Sequence, residues 1–251
     1  MLRIVGFLCT ILFVSVFAQT DSSDAALPSS STVSATENLS TGDDIAVVKS
    51  ILDQTGITDR TAEEASIIEN GRVVSLDLSN KNVATDGITI LPADIGKLTA
   101  LRTLLCKNNA VAIIPLELSK CTQLTKVDFN SNRIVEIPLQ FGQLMNLVEI
   151  DLRYNKIESI PYTIGNFKQL EVLRLWGNLL VSLPAHITIL PALRELYLRD
   201  NRLTSLPSDI VKMKSLKYID LAGNKLCDAD ATLDVWLKAK DKSYKQTQKC
   251  W

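Results

Sequence analysis

Six leucines, Leu101, Leu124, Leu147, Leu170, Leu193 and Leu216, stand 23 residues apart, and each opens the same phrase, L-x-x-Φ-x-Φ-x-x-N-x-Φ with Φ apolar. Cys106 and Phe129 occupy apolar slots of that phrase. A unit this short has one apolar side and cannot bury it alone, whereas stacked units share a continuous core. The x-Φ-x-Φ-x portion alternates with period two, which predicts a strand with Φ turned inward and neighbouring strands paired into one parallel sheet. Five of the six units then pass through an LP or IP step to a helix-like apolar arc. The fixed φ and missing N–H of Pro115, Pro138, Pro161, Pro184 and Pro207 suit the turn onto the convex side. An irregular first unit begins at Val73 and runs five residues longer. The expectation is an α/β solenoid of about seven turns with a concave parallel sheet. Asn109, Asn132, Asn155, Asn178, Asn201 and Asn224 recur at one position of the unit. A stacked amide both donates and accepts, so such a ladder can pair the backbone groups that each bend leaves open. Lys81 holds the asparagine position of the first unit, so the ladder is expected to begin one turn late.

Residues 73–226 resemble leucine-rich repeat proteins of the 23-residue LPxxI kind, and six copies in register make the likeness specific. The resemblance implies a horseshoe that acts as an interaction scaffold, receptor or inhibitor without catalysis. The ending NKLCDADATLDVWLKAK resembles the cysteine-containing C-terminal caps of extracellular members of that family, through Asn224, Leu226, Cys227, Asp228, Trp236 and Leu237. Such caps usually carry a second cysteine two positions on, where this chain has Ala229. The resemblance therefore implies one disulfide, Cys227 to Cys250, pinning a helix with Leu233, Trp236 and Leu237 inward over residues 227–251. Cys106 and Cys121 take apolar slots and are expected as buried free thiols. Neither they nor His186, which falls on an outward position of the convex arc, has metal-ligand spacing, and no metal or cofactor is expected.

Ahead of the repeats the chain changes character. Residues 1–18 have Arg3, an apolar run from Ile4 to Phe17 and a V-x-A pattern at Val16 and Ala18, which reads as a secretory signal peptide. A secreted or extracytoplasmic destination follows, with no membrane attachment after cleavage. Residues 19–44 are rich in Ser, Thr and Asp without periodicity and read as a disordered spacer, with one glycosylation sequon at Asn38. Residues 45–72 read as a helical N-terminal cap. Its first helix takes Asp43 or Asp44 as N-cap and Gly56 as stop, and its second takes Thr61 and Glu64 as a capping box.

In a curved solenoid the outward strand positions form a concave binding surface. Positions three, five, seven and eight of the units carry five basic and seven acidic residues, net minus two. That mixture lacks the coherent basic stripe that a nucleic acid needs. Tyr154, Trp176, Tyr197 and Tyr218 lie on successive units, interleaved with Arg153, Arg174 and Arg199. These residue types dominate interface hot spots, and the cluster is the candidate site for a protein ligand. The bland alternative is aromatic-on-guanidinium stacking along the sheet. A glycan-binding or cell-wall-associated module is the second reading, since exposed rings also stack on sugars. Asp128 and Asp151 fall on neighbouring strands about 5 Å apart, as in a retaining glycosidase. An open sheet with Lys126 and Arg153 nearby favours a salt-bridged surface there instead.

Overall fold

The computed structural model describes residues 41–82, 87–228, 230–240 and 244–250, all within one compact unit spanning Leu39–Trp251. The signal peptide and nearly all of the spacer lie outside the described residues. Eight strands form one sheet in chain order: β1 (Ser66–Glu69), β2 (Arg72–Asp77), β3 (Thr103–Leu105), β4 (Lys126–Asp128), β5 (Glu149–Asp151), β6 (Val172–Arg174), β7 (Glu195–Tyr197) and β8 (Tyr218–Asp220). From β2 onward every pairing is parallel, and the register aligns identical unit positions, such as Asp128 with Asp151 and Arg174 with Tyr197. The inward residue at the centre of each strand from β3 to β8, Leu104, Val127, Ile150, Leu173, Leu196 and Ile219, is buried in a single core.

The convex arcs are 3-10 helices of five residues, each preceded by its proline with φ between −56° and −68°. Between strand and arc, the asparagines form a chain of bonds. In the Asn155 rung, Oδ1 accepts from the Ile134 N–H at 2.9 Å, while Nδ2 donates to the Phe129 carbonyl at 2.9 Å and the Leu152 carbonyl at 3.1 Å. Each rung thus ties its own turn to the unit before it. The same pattern runs from Asn109 to Asn224, and both ends of the ladder are buried.

Both caps differ from expectation in detail. Helix α1 (Thr41–Thr55) begins earlier, so Asp44 sits inside its first turn. The Asp44 carboxylate is fully buried and accepts from Arg72 Nε and the Val73 N–H, both at 2.9 Å, which fastens α1 to β2. Thr61 and Glu64 do form a capping box, but α2 (Ala62–Ala65) ends after four residues. The chain then turns back as the antiparallel hairpin β1–β2 through Asn70 and Gly71, with φ of 47° and 76°. Two consecutive residues at positive φ are what a tight hairpin turn demands, and an Asn-Gly pair between apolar runs is its sequence signal. At the other end Cys227 and Cys250 are joined, their Cα atoms 5.9 Å apart. Helix α3 (Ala231–Lys240) buries Leu233 and Leu237, and Trp236 is packed partly against the core beneath Lys240. The last residues close the open edge of the final turn: Gly223 N–H donates to the Thr247 carbonyl at 2.9 Å and Lys249 N–H to the Asn224 carbonyl at 2.6 Å. Among the described residues no helix is long and apolar enough to cross a membrane.

Candidate functional site on the concave face

Strands β5 to β8 bring the aromatic residues together as two pairs. Tyr154 and Trp176 stand with ring centroids 5.6 Å apart, and Tyr197 and Tyr218 at 5.1 Å. A guanidinium lies on each pair: Arg153 is 5.5 Å from the Trp176 ring and Arg174 is 5.6 Å from the Tyr197 ring. The arginines are held in turn by carboxylates. Arg153 makes a forked pair with Asp151, with Nε at 2.9 Å from each oxygen, and its hydrogen bonds push the guanidinium up. Arg174 pairs with Glu149, which Lys126 also reaches at 2.9 Å. Burial works against ionisation of Glu149, yet these two cations hold its carboxyl below the ordinary value. Arg199 donates to Asp220 at 2.9 Å, and the Tyr197 hydroxyl donates to Glu195 at 3.0 Å. The seven residues form one surface whose side chains are fixed by their neighbours. A fixed side chain loses less entropy when a ligand arrives.

Exposure is divided unevenly. Tyr154 is 55% and Tyr218 46% exposed, whereas Trp176 and Tyr197 are half-buried. The expectation of an exposed tryptophan is corrected here, because Arg153 and Tyr154 both lie against Trp176. Its indole Nε1 is buried without a protein hydrogen-bond partner. An N–H left in that state is an uncompensated cost of about 1–3 kcal/mol.

Position eight of each unit carries information that the aromatic count overlooks. Asn108, Ser131, Asp200, Gly177 and Gly223 all have φ between 50° and 73°, the left-handed region. Tyr154 stands in the same column at φ 51°. Small polar residues and glycine tolerate that backbone, while a bulky aromatic costs about 1–2 kcal/mol there. Its neighbour makes room for it: a Cβ on Gly177 would lie 2.7 Å from Tyr154 Cδ1. A lone tyrosine in a column of Asn, Ser, Asp and Gly was visible in the sequence as the odd member.

Asp128 and Asp151 are register partners, yet they are not equivalent. Asp151 is buried and occupied by Arg153. Burial pushes the Asp128 carboxyl up, the Asn130 N–H at 2.9 Å opposes this, and Asp151 adds to the rise. The site residues Asn109 to Asn224 and the Cys227–Cys250 disulfide lie in the frame of the solenoid, away from the concave surface. His186 is exposed on the convex side, 5.8 Å from Tyr162. Cys106 and Cys121 are buried free thiols, and burial pushes both up to about 12. Among the described residues no group of three or more His, Cys, Asp or Glu could hold a metal ion.

A family model described as leucine rich repeat matches residues 122–180 and 168–226. No curated protein matches the sequence. Among solved structures, a plant peptide hormone receptor, RGFR1, in complex with RGF2 is 28% identical with a TM-score of 0.55, over 64% of this chain and 29% of that one. PEPR1 with AtPEP1 is 25% identical with a TM-score of 0.62, over 72% and 28%. A plant ice-binding protein, 23% identical with a TM-score of 0.63 over 77% and 66%, shares the fold. The chain spans less than two thirds of the length of each of these proteins.

Proposed function

The chain being a leucine-rich repeat solenoid, we propose that it is a secreted recognition module which binds a protein or peptide ligand on its concave face. Tyr154 carries this reading. Folding alone favours Asn, Ser, Asp or Gly at that position, so a strained, exposed aromatic is retained for what it touches outside the molecule. Strain of that kind gathers at ligand clamps, where the surrounding structure over-determines it. Tyr154, Trp176, Tyr197 and Tyr218 supply apolar area at low entropic cost, and Arg153, Arg174 and Arg199 supply directional donors. A plant peptide hormone receptor of similar fold, RGFR1, is solved in complex with RGF2, and PEPR1 is solved with AtPEP1, which supports a proteinaceous ligand over a sugar. The disulfide cap supports an oxidising destination outside the cytoplasm.

The test uses the full chain from a secreting host as bait in its native extracellular medium, beside Tyr154→Asn and Tyr218→Ala variants. Both side chains are exposed; asparagine tolerates the left-handed backbone, so Tyr154→Asn is expected to match or exceed the parent's thermal stability, while Tyr218→Ala loses its stacking on Tyr197, about 1 kcal/mol. A specific protein retained by the parent and lost by both variants is the expected outcome. Equal retention by all three baits would move the ligand site off this face, and capture of glycans on an array with no protein retained would favour the carbohydrate reading.

A further inference from the structure

The concave carboxylates differ in what they hold. Five stand on the concave columns of the units of β5 to β8. Four are matched to a cation: Glu149 to Lys126 and Arg174, Asp151 to Arg153, Asp200 to Lys249, and Asp220 to Arg199. Glu195 is the exception. Among the described residues it forms no ion pair, and its side chain accepts one hydrogen bond, at Oε2 from the Tyr197 hydroxyl at 3.0 Å.

Register explains why this carboxylate is left over. Glu149 faces Lys126 across the sheet, whereas the cross-strand neighbours of Glu195 are Val172 and Tyr218. Arg174 stands on β6, between Glu149 on β5 and Glu195 on β7, and goes to Glu149. Arg194, the residue before Glu195, goes to Glu171 at 3.7 Å. Lys217, the residue before Tyr218, forms no ion pair among the described residues.

Folding has little use for a charge at this position. Glutamine would serve Tyr197 equally well as an acceptor, without a charge that is partly buried and unpaired. The surroundings of Glu195 suit a positive charge brought from outside. Tyr197 and Tyr218 hold their rings 5.1 Å apart on the same stretch of sheet, and Tyr218 is exposed. A cation within about 6 Å of a tyrosine face is attracted by the ring quadrupole, and a carboxylate adds a charge-assisted hydrogen bond. Burial, and then the bond to Glu195, push the Tyr197 phenol up, so Oε2 keeps its donor. Oε1 is left to accept from a ligand.

We propose that Glu195, with the rings of Tyr197 and Tyr218, forms a subsite for a cationic side chain of the ligand, a lysine or an arginine. The inference rests on the concave-face reading and adds to it the charge of the ligand at one position. Tyr154 and Trp176, on the units of β5 and β6, lie to one side of the subsite and contact an apolar neighbour in the same ligand.

The test is selection from a displayed library of random peptides of about 12 residues, long enough when extended to cross the whole sheet. The baits are the full parent chain and its Glu195→Gln, Glu195→Lys and Tyr154→Asn variants. Glutamine keeps the shape and the acceptor while removing the charge, and its thermal unfolding is measured beside the parent's. The parent is expected to enrich Lys or Arg at one position of a motif. Glu195→Gln should lose that preference and keep the rest of the motif, and Glu195→Lys should select Asp or Glu there instead. A synthetic peptide from the parent selection should bind Glu195→Gln about tenfold more weakly, and added salt should narrow the gap. A motif that is the same for the parent and Glu195→Gln, and lost with Tyr154→Asn, overturns the cation subsite and leaves the concave reading standing. Peptides enriched equally by all four baits, or none enriched by any, overturn the concave reading and the subsite with it.

Discussion

At the scale of single residues, the concave face is governed by which side chain a shared backbone slot receives. Position eight takes a left-handed conformation in every unit from β3 to β8, so its occupant is either free of strain or present for another reason. Gly177 and Tyr154 are coupled in this way. Replacing Gly177 with Ala adds a Cβ at φ 69° and brings it within 2.7 Å of the Tyr154 ring. We expect a loss of about 2–3 kcal/mol in urea unfolding, of which roughly 1 kcal/mol is recovered in the Tyr154→Ser, Gly177→Ala double variant. Strictly additive effects would show that the two positions do not touch. Residue identities announced the aromatic cluster but not its depth. Trp176 is half-buried because Arg153 is pinned by Asp151 and Tyr154 leans over Gly177, and both depend on geometry between units.

At the scale of elements, the parallel strands and 3-10 arcs were legible because the same signal was written six times, so that a weak pattern in each copy became strong in sum. The hairpin β1 was not read, since the apolar residues of SIIE also fit a helical face after a capping box. The Asn-Gly turn was the signal that separates the two. Reading Asp43 or Asp44 as the N-cap misses the helix start, because the partners that hold Asp44, Arg72 and Val73, lie 28 and 29 residues away. The asparagine rung is the element on which the stack depends most. Asn155→Ala removes the acceptor of the Ile134 N–H and one of the two asparagine donors that the Phe129 and Leu152 carbonyls each receive in a buried turn. A destabilisation of about 2–4 kcal/mol is expected in chemical denaturation. A cost below about 0.5 kcal/mol would mean that water or a relaxed backbone replaces the rung.

On the scale of the whole molecule, a solenoid lacks contacts between distant units, so its stability is a sum of local interfaces and its ends decide where it opens. The C-terminal end is closed by a disulfide spanning 23 residues of chain. A loop of that length constrains the unfolded state by about 3 kcal/mol. Reduction should therefore lower stability by that amount and make β8 the first strand to exchange its amide hydrogens. The effect is attributable to this bond, because burial keeps the Cys106 and Cys121 thiols out of reach. Equal exchange rates in β8 with and without reductant would locate the weak point elsewhere. The N-terminal end relies on packing of α1 and on the buried Asp44 pair instead, and the two caps are thus closed by different chemistry.

Register in the stack also bears on how such a chain tolerates insertion and loss. Asn155 bonds backward to Phe129 and Ile134, and Asn178 bonds backward to Leu152 and Ile157, groups of the same kind at the same offset. Excising one whole unit would hand each surviving asparagine an equivalent partner, while excising one residue more or fewer would leave a rung facing the wrong groups. The fold is therefore indifferent to the number of units and intolerant of their length. On the proposed function ligand preference is the opposite, because dropping a unit places new side chains side by side on the concave surface. Duplication or deletion of whole units can thus rewrite recognition in one step while leaving every structural bond type in place.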